Sequence, residues 1–261
     1  MSQDSCKSSQ SGFTLIELMV ALGIFLLVCG AAFTLLGSSQ QRYKTESQVL
    51  TSFQEARLAL DQIVRDVNDA GFPPPIYAGT DSTIYAKSPF AWSPGYPGTP
   101  CQIGTGGGGT CTTSIAGNTS PGDFDLIIET NPSPPTYPKV QWIRYQLQGT
   151  TLLRGAANKV YGDNPDTDTA AQLVPFVQNV VNVTSPPGGV PIAIFSYICD
   201  TPTVPQYPAP LCPSAGADNS PANIRDVTVT LIVSAPSPDA TTGARRIVRL
   251  TGRGRRVNPN Q

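Results

Sequence analysis

Histidine is absent from all 261 residues. Without it there is no Ser–His or Cys–His base pair to activate a nucleophile, and no imidazole ligand for a metal. The chain also lacks a G-x-S-x-G elbow, a Walker loop and a dinucleotide-binding fingerprint. Its one glycine run, Gly106 to Gly109, lies between two cysteines rather than between a strand and a helix, so it reads as a loop. A carboxylate pair for glycosidic chemistry is the one catalytic pattern left open, and the chain is expected not to be an enzyme. Charged residues make up only 13% and the formal net charge is −1, so no global field draws the chain to nucleic acid. Proline is missing up to Phe72, and all 26 prolines follow it. Proline breaks helices, so this boundary separates a helical first part from a second part rich in loops and strands.

Against these absences stands one long apolar run. From Phe13 to Leu36 the chain carries a single charge, Glu17. The run is long enough to span a bilayer as a helix, and a lone carboxylate within it is costly and needs a reason. Gly12 immediately precedes the run. An ordinary secretory signal fits poorly, because residues 1–12 carry only Lys7, offset by Asp4, and the apolar core is too long. Basic residues normally mark the cytoplasmic side, yet Arg42 and Lys44 follow the run. The N-terminus is nevertheless placed inside, on the strength of the processing motif and the cysteines.

The segment Gly12-Phe13-Thr14-Leu15-Ile16-Glu17 resembles the class III signal of type IV pilins and type II secretion pseudopilins. The resemblance covers about the first tenth of the chain. It implies cleavage after Gly12 by a membrane-embedded prepilin peptidase, N-methylation of Phe13, and pairing of Glu17 with the terminal amine of a neighbouring subunit. An ammonium and a carboxylate are both expensive in a water-poor filament core, and each resolves the other's cost only if they meet. The resemblance further implies an inner-membrane protein with a cytoplasmic N-terminus and periplasmic head, later carried to the pilus and cell surface. Its partners would be other pilin subunits, the peptidase and an inner-membrane assembly platform. It implies no cofactor and no metal.

Between Ser38 and Ala70 the apolar positions Val49, Phe53, Ala56, Leu60, Ile63, Val67 and Ala70 recur at alternating spacings of 4 and 3. That is one helical face, expected to lie on a sheet. Gly71 and Pro73-Pro74-Pro75 end the helix. Strands are expected at Thr83–Ala86, Asp123–Thr130, Val140–Leu147, Thr151–Arg154, Leu173–Val183, Ile192–Ile198, Ile224–Val233 and Arg246–Thr251, with a hairpin at Gln148-Gly149. The fold class is therefore α+β: a long helix, transmembrane and then amphipathic, packed on an antiparallel sheet head with long loops. The expected organisation is a cleaved leader at 1–12, a filament-core helix at 13–36, an amphipathic helix at 37–72 and a β-rich head at 73–261.

The segments ARLALDQIVRDVNDAGF (56–72), WIRYQLQGTTLLR (142–154), FSYICD (195–200) and NIRDVTVTLIV (223–233) are similar to PilW-type minor pilins and to J-type minor pseudopilins. This likeness implies a structural role near a filament tip, in pilus initiation and assembly, supporting adhesion, motility or DNA uptake. The alternatives are a J-type subunit of a type II secretion tip complex, and a filament-associated adhesin that binds DNA or a surface. The loop from Ser88 to Pro121 exceeds what a compact sheet needs.

Four cysteines outside the leader and apolar run fall in two close pairs, Cys101 with Cys111 and Cys199 with Cys212. Four cysteines allow three connectivities. Local pairing is favoured because each pair brackets a Pro/Gly-rich loop, and closing such a loop stabilises by roughly 2–3 kcal/mol. Disulfides place the head in an oxidising compartment. A zinc site is the competing reading, disfavoured by the lack of C-x2-C spacing. Cys29 reads as a small buried hydrophobe. Asp163, Asn164, Asp166 and Asp168 form an acidic cluster, read as a solvated loop with Asx turns or as a calcium site. Arg245, Arg246, Arg249, Arg253, Arg255 and Arg256 crowd the last 17 positions. They read as a charged edge strand and tail, with contact to DNA phosphates as the alternative.

Overall fold

The computed structural model describes residues 12–74, 81, 83–91, 122–132, 139–160, 162, 164–184, 186, 188–199, 211–212, 221–239 and 242–257. Helix α1 runs unbroken from Leu15 to Asn68, 54 residues, or about 80 Å at 1.5 Å per residue. The apolar and amphipathic stretches are thus one rod. No proline interrupts it, and Gly23, Gly30 and Gly37 do not break it. Gly71 adopts a left-handed conformation (φ 82°), and its N–H donates to Glu129 O at 2.9 Å, which turns the chain into the head.

The head has two four-stranded antiparallel sheets where one was expected. The first is a meander of β1 (Asp125–Thr130), β2 (Gln141–Gln148), β3 (Thr151–Asn158) and β4 (Val174–Val177), in that spatial order. Between β3 and β4 lies a short helix, α2 (Pro165–Ala170). The second sheet has the order β6-β5-β7-β8, formed by β5 (Phe195–Cys199), β6 (Leu211–Cys212), β7 (Ile224–Ser234) and β8 (Ile247–Arg255). The hairpin stands where expected: Gln148 pairs with Thr151, and Gly149 supplies the positive φ of 59° that a two-residue turn needs.

A single side chain helps join the sheets. Beyond β4 the chain crosses to β7, where Val180 bridges Val233. There the Asn182 amide acts like a strand residue. It donates to Thr230 O at 2.9 Å and to Ile192 O at 3.0 Å, and accepts from Ile232 N at 2.8 Å. This crossing is why the expected strand at Leu173–Val183 is four residues long: the rest of the segment serves the second sheet.

The predicted stripe is the buried face of α1. Val49, Ala56, Leu60, Ile63, Val67 and Ala70 are buried, and Phe53 is half-buried. Each large member contributes about 1.5–3 kcal/mol on burial. This face contacts β7 and β8 most, with β4 on its other flank. Two glycines of β8 set the approach distance. A Cβ at Gly252 would meet Leu60 Cδ1 at 3.0 Å, and one at Gly254 would meet Val67 Cγ1 at 2.6 Å. Helix and sheet therefore touch backbone to side chain. Gly254→Val should destabilise the head by about 1–3 kcal/mol through overpacking. A thermal melt would read this as a drop in Tm, and an unchanged Tm would show that the seam has slack.

The expected strand at Thr83–Ala86 does not form. Its backbone bonds are scattered: Ala86 N donates to Pro73 O at 2.8 Å, and Thr83 O accepts from Val140 N at 2.9 Å. No ladder results.

Candidate assembly site

The N-terminal site is built on the first turn of α1. Thr14 is the N-cap, in extended conformation. The Glu17 carboxylate accepts from Thr14 N at 2.9 Å and from Thr14 Oγ1 at 2.8 Å, while Glu17 N donates to Thr14 Oγ1 at 3.4 Å. This reciprocal capping box satisfies donors that the helix leaves open, and the helix dipole favours an anion there. Glu17 thus already has a local partner in the isolated chain. Any acceptor role toward a neighbour must compete with Thr14.

Gly12 is exposed just ahead of the cap, and a Cβ built there meets nothing within 4 Å. Phe13 is 88% exposed. The large apolar side chains that follow, from Leu15 to Leu36, are exposed throughout. Among the described residues this helix alone is long and apolar enough to cross a membrane. A bare apolar surface of this size marks a membrane or protein contact. Cys29, a free thiol, is half-buried rather than buried as expected, because among the described residues nothing outside the helix packs over the run.

Residues 7–35 match the family model of the prokaryotic N-terminal methylation motif. No curated protein and no solved structure matches the chain. The motif, the bare helix and the sheets packed on its second half define a type IV pilin-like or pseudopilin-like subunit with a class III signal. In such proteins the apolar helix anchors the subunit in the inner membrane before assembly.

The other sequence candidates lie in the head. Cys101, Cys111, Asp163 and most of the 88–121 loop fall outside the described residues. Cys199 is buried on β5 and is disulfide-bonded. Cys212 lies on β6, whose backbone pairs with β5 at Tyr197 and Ile198. The described part of the acidic cluster is a short helix rather than a loop, and it opens on the expected Asx turn. Asn164 caps α2 by accepting from Asp166 N at 3.0 Å, and Asp166 Oδ1 sits 2.6 Å from Arg144 Nη2. That carboxylate is taken up by an arginine.

Arg144 was not singled out in the sequence, yet it anchors the densest polar network. It is fully buried on β2. Nε and Nη2 reach Asp125 Oδ1 and Oδ2 at 3.0 and 2.6 Å, and Nη1 reaches Asp166 O at 2.8 Å. Burial pushes the Asp125 carboxyl up, and the arginine pulls it back. Glu129 plays a similar part beside it. It accepts from Lys159 Nζ at 2.6 Å and from Lys87 N at 2.7 Å, tying the 81–91 segment to the sheet. On the opposite, helix-facing side, Asp66 of α1 accepts from Tyr145 Oη and from Arg154 Nη2, the latter at 3.2 Å.

Tyr145 and Tyr197 have hydroxyls held above their ordinary pKa. Burial is the main cause, followed by carboxylate charge from Asp66 for Tyr145 and from Asp123 and Asp125 for Tyr197. The unfolded chain ionises at the ordinary value, about 10. Stability is therefore intact below that pH and falls as pH rises above it, by about 1.4 kcal/mol per pH unit per tyrosine. Tyr145→Phe should make the loss of Tm above pH 10 shallower, even though it lowers Tm at neutral pH. An unchanged alkaline slope would overturn the assignment.

Proposed function

We propose that this chain is a PilW-like minor pilin, processed after Gly12, N-methylated at Phe13, and built into a type IV pilus at or near its tip. The observation that carries the reading is the placement of Glu17. It is the one charge on a bare apolar helix, four residues after the proposed mature terminus, on a rod that continues without a break into the head. The subunit works by assembly rather than catalysis. Its helix packs beside neighbouring helices, and Glu17 leaves its Thr14 cap to meet the terminal amine of an adjacent subunit, which sets axial register. The domains on this reading are the leader 1–12, the filament-core helix 13–36, the amphipathic helix 37–72 and the head 73–261. The proposed disulfides, Cys101–Cys111 and Cys199–Cys212, close head loops in the periplasm.

Intact-mass and N-terminal peptide analysis of membranes and sheared filaments tests the proposal. A form beginning at N-methyl-Phe13 in the filament fraction supports it. An unprocessed chain confined to membranes overturns it. The same fraction identifies the machine, since a pilus and a secretion pseudopilus carry different major subunits.

A further inference from the structure

We propose that the solvent face of β8 binds the phosphate backbone of DNA without reading its sequence. The inference starts from how the six clustered arginines are used. Three have partners within the head. Arg246 Nη2 meets Asp239 Oδ2 at 2.9 Å, Arg253 Nη2 meets Asp226 Oδ2 at 2.6 Å, and Arg256 Nη1 donates to Ala222 O at 2.6 Å. Arg245, Arg249 and Arg255 are exposed and form no ion pair among the described residues.

Their arrangement follows from the pleat. Gly252 and Gly254 face α1, so the alternate positions 249, 251, 253 and 255 face away from it. Arg253 and Arg255 then stand roughly 7 Å apart, and Arg249 to Arg255 spans roughly 20 Å at about 3.4 Å per residue. Asp226, on the same face of β7, is fully buried and holds both Arg253 and, at 3.1 Å, Arg225 Nε by one oxygen, while Oδ1 has no hydrogen-bond partner. Arg253 is thereby fixed in direction, yet its side chain keeps 56% exposure. The result is a straight row of guanidinium groups with threonine at 251, opposite Thr228, Thr230 and Ile232 of β7, on a face whose one charged β7 residue is the buried Asp226.

A linear row of this kind matches a linear polyanion. Each DNA strand presents a charge about every 3.4 Å, and arginine forks bind phosphate oxygens well. Strand β8 carries no aromatic residue, so there is no stacking platform and no reason to prefer single strands. Anionic lipid is the poorer occupant. The strand that carries the row packs its other face, through Gly252 and Gly254, on Leu60, Val64 and Val67, at least 24 residues beyond Leu36. That is about 36 Å along the continuous helix at 1.5 Å per residue, several times the Debye length of about 8 Å.

The test uses the full chain in non-ionic detergent, so it is independent of processing and filament formation. The probe is a fluorescein-labelled 30-bp duplex of arbitrary sequence, followed by anisotropy from 25 to 200 mM NaCl. Log affinity should fall with log salt at a slope of about −2 to −3, as expected for two to three phosphate contacts. Arg249→Gln/Arg255→Gln should weaken binding at least tenfold at 50 mM salt and flatten the slope by about 2. Arg249→Lys/Arg255→Lys should keep most of the affinity, and both variants should melt like the wild type. Duplex binding equal in wild type and the Gln variant would overturn the proposal, as would no binding at 25 mM salt. So would a Gln variant that loses only flotation with anionic vesicles, or only self-association.

Discussion

A chain carrying Gly12→Ala is expected to stay at full length in the membrane and to contribute no filament subunit. The structure sharpens this expectation. Gly12 is exposed, and a Cβ there meets nothing within 4 Å, so the substitution leaves the fold alone and acts only on recognition by the peptidase. Glu17 variants separate two roles of one carboxylate. Glutamine at the third helical position can still close a capping box with Thr14, whereas alanine cannot. If the charge is what a neighbour needs, Glu17→Gln and Glu17→Ala are both processed, and both fall at least tenfold in sheared filaments. Wild-type incorporation of Glu17→Gln would mean that capping, not pairing, is the function of Glu17. Normal processing of Gly12→Ala would remove the signal assignment itself.

Arg144→Met is expected to destabilise the head by about 3–5 kcal/mol, the usual cost of leaving buried charge without its partner. Asp125 would lose both of its bonds to the guanidinium, and α2 would lose its attachment to β2. The denaturant midpoint of the full chain should shift accordingly, with an unchanged m-value. The double variant Arg144→Met/Asp125→Leu should recover a large part of the loss, because buried ion pairs are often replaceable by apolar packing. A small effect of the single change would mean that water reaches the site on opening. No recovery in the double variant would point to Asp166 as the carboxylate that matters.

The helix was legible in the sequence because its signals reinforce one another. A proline-free stretch, an apolar run and a stripe at spacings of 4 and 3 all describe one rod, and that stripe is the buried face. Strands β1, β2 and β7 were legible because alternation or apolar runs marked them, and the ends shift by at most two residues. The expected β3 stopped at Arg154, because Gly155, Ala156 and Ala157 look unlike strand. Their smallness has a tertiary cause: a Cβ at Gly155 would meet the backbone of Gln172 at 3.0 Å. Helix α2 was hidden because PDTDTA has no apolar periodicity. It is held by a side chain on another strand.

Legibility of the candidate sites divides the same way. Gly12, Phe13 and Glu17 lie within six consecutive residues, so sequence order alone unites them. Asp125 and Arg144 meet only through the β1–β2 register, which sets Ile127 opposite Arg144 and Asp125 opposite Gln146. The arginine cluster was visible as composition, but which members are spent on Asp239, Asp226 and Ala222 was not.

The bare run from Phe13 to Leu36 has a further consequence for how such a subunit moves. Lipid tails and neighbouring leucine-rich helices are nearly equivalent as solvents for an apolar rod. Transfer from bilayer to bundle exchanges one hydrocarbon medium for another, at little net gain or loss of hydrophobic free energy. The traffic is therefore reversible in principle, and a filament of such rods can return its subunits to the membrane it drew them from. Direction is left to the polar groups at the rod's tip, whose partners differ between the two media, and to whatever work the cell applies.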